Sequence, residues 1–155
     1  MKNIKTLLLV VLGCLGTAVA ADKYGLAADN KIYAQTLVNQ IMAENPNLVS
    51  AGIHCVPPGG DAQSIVASTL NVIGKKSDPE DILHGSTVIS PHPRLPKLGI
   101  MLPLHDRDGH DLGSLALSFK YQSGEDQVKF FAQATAIRDR IAPQIASLAA
   151  LWAAP

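Results

Sequence analysis

Four of the chain's five histidines stand beside groups with which an imidazole could do chemistry. The densest set is His105-Asp106-Arg107-Asp108-Gly109-His110-Asp111. Imidazoles and carboxylates at this spacing are metal ligands, and Asp-x-Asp-Gly resembles part of a calcium loop. Counted from Asp106, however, the position where an EF-hand places its bidentate Glu is Leu117, so an EF-hand is excluded. Two readings remain. Asp106, Asp108 and Gly109 make a tight turn with His105 and His110 solvated, or His105 and His110 face each other across a hairpin and hold a transition metal with Asp106 and Asp108.

A second set is His92 and Arg94 within Pro91-His92-Pro93-Arg94-Leu95-Pro96. Prolines narrow the backbone's freedom, so side chains between them lose less entropy when they face a pocket. The Arg fork matches a carboxylate with two parallel hydrogen bonds, which points to a small, anionic ligand. The alternative is an exposed loop with solvated charges. His54 and Tyr121, on strand-like stretches, are further candidates for the pocket wall. His54 adjoins Cys55, but neighbouring side chains in a strand point to opposite faces. Cys55 therefore reads as a small buried hydrophobe on the face of Val49, Ala51 and Ile53 rather than as half of a thiol–imidazole site. Ser64 and Ser90 would serve a small hydrolase, yet the chain has no G-x-S-x-G elbow, H-E-x-x-H, Walker loop or C-x-x-C-H. No motif asks for a cofactor, and ligand binding ranks ahead of metal binding and hydrolysis.

These residues need elements to hold them. From Gly113 to Tyr121 the odd positions carry Leu115, Leu117, Phe119 and Tyr121, against Ser114, Ala116, Ser118 and Lys120 between them, the period of a half-buried strand. Leu98, Ile100, Leu102 and Leu104 repeat the pattern, and the intervening Asp and Gly residues suit a hairpin loop. Pro103 cannot donate to a ladder, so its N–H side is expected to be unpaired. A helix is predicted over 31–43, capped by Asp29 or Asn30 and ended at Asn45-Pro46. A strand follows from Leu48, then a second over 64–70 with helix as the alternative, a short helix from Ser77 or Asp78 to His84, and a strand over 86–90. A long helix begins at Glu125-Asp126 with Val128, Phe131, Ala134, Ile137, Ile141, Ile145, Leu148 and Trp152 at helical spacing, and Pro143 should kink or divide it. The sum is an α+β domain, an antiparallel sheet of about five strands flanked by an N-terminal and a long C-terminal helix.

Residues 1–20 have the layout of a secretory signal peptide: Lys2 and Lys5, the apolar run Leu7 to Leu12, and Ala18-Val19-Ala20. The expectation is a periplasmic or secreted protein cleaved after Ala20, with residues 21–155 as one domain; a lipoprotein attached through Cys14 is the alternative. Cleavage would leave 11 basic and 13 acidic residues and Cys55 as the sole thiol, so the core and not a disulfide must hold the fold. Without a basic run there is no electrostatic footprint for nucleic acid.

The phrase Asn71-Val72-Ile73-Gly74-Lys75-Lys76-Ser77-Asp78-Pro79-Glu80-Asp81 and the hairpin from Leu102 to Gly113, behind an exported N-terminal helix, resemble the extracytoplasmic PAS-like, single-Cache type of sensor domain. The resemblance implies a small ligand bound between sheet and helices. The chain departs from membrane-bound receptors of that type, with no second transmembrane helix and no kinase or methyl-accepting segment read in it, so a free-standing version is expected. Such a domain needs a reader, either a membrane protein or a second copy, and the Ala-rich, apolar terminal helix is the expected contact, unless that helix buries both sides within its own domain.

Overall fold

The computed structural model describes residues 31–77 and 85–155. The expected signal peptide, Cys14, the Asp29 or Asn30 cap and the short helix before His84 lie outside the described residues. Helix α1 (Tyr33–Glu44) precedes β1 (Leu48–Cys55), β2 (Ser64–Ser68), β3 (Val88–Pro91), β4 (Lys97–His105) and β5 (Asp111–Lys120), and α2 (Gln127–Ile141) and α3 (Leu148–Leu151) close the chain. The strands form one antiparallel sheet in the order β2-β1-β5-β4-β3, an α+β fold, and the stretch read as strand or helix is strand β2.

Both helices of three turns or more lie on one sheet face. α1 buries Ala34, Leu37, Val38 and Ile41 over β1 and β2, and α2 buries Phe130, Ala134, Ile137 and Ile141 over β4 and β5. Beneath them Leu98, Ile100, Leu102, Leu104, Leu115, Leu117 and Phe119 form the apolar face of the hairpin, as the alternation predicts. Asn45 ends α1 by donating from Nδ2 to the Ile41 carbonyl (2.7 Å). Asp126 caps α2 by accepting from the Val128 N–H (2.9 Å). Gln35 docks α1 to the end of β2 through two amide hydrogen bonds with the Ser68 backbone, 3.0 and 3.2 Å.

Several expectations need correction. Val49 does not share the buried face of Ala51, Ile53 and Cys55. Leu48 pairs with Phe119 and Ser50 with Ser118, so Val49 is the extra residue of a bulge and 46% exposed. On α2 it is Phe130 that packs, tilted against Phe119 at 5.5 Å and edge-on to Tyr121 at 5.7 Å, while Phe131 and Val128 face outward. Pro143, as expected, divides the terminal helix. α2 stops at Ile141, a 3₁₀ turn covers Ala142–Gln144, and Ile145 is extended. Ile145 and Leu151 are buried in the domain's own core, with Leu148 and Trp152 packed beside it, so the terminal apolar surface is largely used internally.

The Pro103 expectation holds for a reason of register. Lys97 O accepts from His92 N–H (2.9 Å), which turns the odd-numbered backbone groups of β4 toward β3. β3 ends opposite Met101, so no strand faces the missing donor of Pro103. A second bulge sits where His105 pairs with Asp111 and Leu104 with Gly113. Gly113 has φ +139°, and a Cβ there would collide with the His54 carbonyl, which makes it a position only glycine can fill. Leu117 lies where β5 meets the helices, and Leu117→Ala should lower unfolding stability by about 2–5 kcal/mol in chemical denaturation; a loss under about 1 kcal/mol would contradict its place in the core.

Candidate functional site

The hairpin loop is organised by Asp106. One of its oxygens accepts the N–H of Asp108 and of His110, both at 2.9 Å, and the other meets His110 Nδ1 at 3.1 Å. Arg107 N–H donates to Ile145 O (2.9 Å), tying the loop to the segment after α2. Asp106 is only 6% exposed. The backbone N–H of His110, more than its ring, holds the Asp106 carboxyl below the usual carboxylate range, against the opposing effect of burial. Asp106, Asp108 and His110 bring one ligand atom each within 4.8 Å of one another. Both Asp106 oxygens are already engaged within the turn, which accounts for the cluster without an ion. His105 does not join it. Its Nδ1 lies 2.9 Å from Asp111 across the strand pair, without the angle of a hydrogen bond.

The connector makes a cleft. His92, Arg94 and Leu95, with their flanking prolines, form one wall, and Tyr121, Gln122, Ser123 and Gln127 form the other, around a volume of about 630 Å³. The Tyr121 N–H donates to Pro96 O (3.0 Å), pinning the connector to the end of β5. The Tyr121 hydroxyl accepts from Gln127 Nε2 (3.3 Å), so the first residue of α2 fixes the ring's polar end. Arg94 is exposed, and none of the ion pairs among the described residues includes it. An unpaired guanidinium beside apolar surface can take a carboxylate from solution without first giving up an internal partner.

Three of the four expected ligand-binding residues, His92, Arg94 and Tyr121, thus come together; His54 does not line the cleft. It is buried on the other sheet face, opposite Ser114. Cys55 points the other way into the core, and burial pushes its thiol up to about 12, far from a reactive thiolate. Ser64 is wholly buried opposite Cys55, which removes it as a nucleophile. The cleft lies at the end of the sheet rather than between sheet and helices. Sequence reasoning missed Gln127, whose only signal is its place one residue after the Asp126 cap. No protein-family model matches the chain, and no curated protein matches it.

Because the Asp106 carboxyl is depressed in the fold, its contribution to stability is complete above the ordinary carboxylate value near pH 4 and is lost as pH falls through the lower folded value. Acid unfolding of the protein should therefore steepen below about pH 4. Asp106→Asn, which keeps an oxygen acceptor for the two N–H groups, should flatten that dependence; an unchanged acid limb would remove Asp106 from this role.

Proposed function

We propose that this chain is an exported, sensor-like module of the PAS or single-Cache type that binds a small anionic ligand in the connector cleft. The observation that carries the reading is the meeting of Arg94, His92 and Tyr121 in one cleft, from stretches some 30 residues apart, with no ion pair to the guanidinium among the described residues. The five-stranded antiparallel sheet under two helices is compatible with that type of domain. Export rests on the pattern of residues 1–20; among the described residues no helix is long and apolar enough to cross a membrane. In this reading the state of the site is read by a membrane protein or a second copy. The outward Val128 and Phe131 of α2 offer more apolar surface for that contact than the buried end of the chain does.

A ligand at a hundred times its Kd stabilises the folded state by about 2.7 kcal/mol. Thermal unfolding in the presence of small organic acids should show a raised melting temperature for at least one of them. Arg94→Ala should abolish the rise and leave the free protein as stable as before, since the side chain is exposed and unpaired. An equal rise in the variant would sink the assignment of the site. Stoichiometric metal in the purified protein, lost on replacing His105 and His110, would favour the metal-binding alternative instead.

Mass spectrometry of the exported protein should find an N-terminus at Ala21. A diacylglyceryl group on Cys14 would replace the soluble form with a lipoprotein.

A further inference from the structure

His92 is not a freely turning imidazole on the wall of the cleft. Its Nδ1 accepts the backbone N–H of Arg94 at 3.1 Å and of Leu95 at 3.0 Å. These are the amides two and three residues on, the pair that an Asn or Asp oxygen takes when it closes an Asx turn. A neutral imidazole has one donor nitrogen and one acceptor. With two amide protons directed at Nδ1, the ring proton belongs on Nε2, and Nε2–H is what His92 has left for a ligand.

Arg94 and Tyr121 lean the same way, whereas Gln122, Ser123 and Gln127 on the far wall can accept as well as donate. Arg94 has five N–H donors and no acceptor. Tyr121 already accepts from Gln127 Nε2, so its own hydroxyl proton is turned elsewhere and remains available to donate. Among the described residues, the carboxylates of the adjoining β5–α2 turn are drawn back into that turn. Glu125 accepts from the Gln122 N–H (2.6 Å) and from Lys129 Nζ (2.8 Å), and Asp126 caps α2. Neither lines the cleft. Beside the donors, three prolines, the Tyr121 ring and Leu95, which is 52% exposed, supply apolar surface.

We propose that the cleft takes an organic carboxylate with an apolar body, and that His92, held by the connector's own amides as the Nε2–H tautomer, is the residue that makes the site select such an anion over cations and metal ions. The inference rests on the binding reading above and adds the ligand class and the residue that sets it. A metal ion at Nε2 would require the ring proton to move to Nδ1, where it would face two N–H groups and open the connector turn. An ammonium ligand would meet the Arg94 charge and find only neutral amide and hydroxyl oxygens, with no carboxylate, to accept from it. Inorganic phosphate could meet the donors but would leave the prolines and Leu95 without contact.

The test uses the chain from Ala21 onward with benzoate, benzylamine, inorganic phosphate and zinc as probes. Two-bond proton–nitrogen correlation at neutral pH should show His92 protonated on Nε2, and benzoate should shift the His92, Arg94 and Tyr121 signals. Benzylamine and zinc should not, and phosphate should bind more weakly than benzoate. His92→Asn should retain the turn and the melting temperature while weakening benzoate about tenfold, the loss of one hydrogen bond to a charged group. His92→Ala should lower the melting temperature as well. An Nδ1–H tautomer, benzylamine or zinc binding as tightly as benzoate, phosphate matching benzoate, or unchanged benzoate affinity in His92→Asn would each overturn the proposal. If benzylamine alone binds in the cleft, the binding module stands and its anion selectivity falls. If none of the four probes shifts the cleft signals, the binding reading itself fails for this site.

Discussion

Strand β5 pairs along both edges, with β1 on one side and β4 on the other, and the whole domain depends on that double pairing. Its register sends Leu115, Leu117 and Phe119 toward the helices and Ser114, Ala116 and Ser118 to the opposite face. A slip of one residue would exchange the two faces and expose the core, so the register admits no alternative. Gly113 is where the constraint is tightest, because β1 passes so close that only a residue without a Cβ can occupy the position. The helices then settle where β5 and its neighbours present apolar side chains. Phe130 on α2 is selected by its contacts with Phe119 and Tyr121 at the end of that strand.

The cleft inherits its geometry from the same strand. β5 ends in Tyr121, whose backbone fixes the connector through Pro96 and whose ring meets α2 through Gln127 and Phe130. The connector contributes stiffness of its own. Three prolines remove backbone freedom, and the His92 ring replaces the Asx side chain that would ordinarily close such a turn. A residue that looks available for chemistry is thereby half committed to structure, and the commitment decides which of its nitrogens can face a ligand. In the hairpin loop the commitment is complete. Asp106 is taken up by two backbone amides and a histidine ring, and its charge holds the turn together.

The sequence by itself determined what lies within reach of local chemistry. The alternation over β4 and β5, the Asp-Gly turn between them, the Asp126 cap, the end of α1 at Asn45 and the break at Pro143 each follow from residues no more than a few positions apart, through pleat period, capping or the missing proline donor. His92, Arg94 and Tyr121 were legible as candidates because their chemistry is a property of residue type. Only the tertiary structure decided which candidates meet. Val49 leaves the core face through a bulge whose existence depends on β5, and the choice of Phe130 over Phe131 depends on aromatic rings across the sheet. His54 is separated from the other candidates because it lies within the sheet on β1, whereas the connector returns to the far end of β5. Such outcomes turn on pairing between distant segments, where a single residue of register exchanges inside and outside, and no local pattern carries that information.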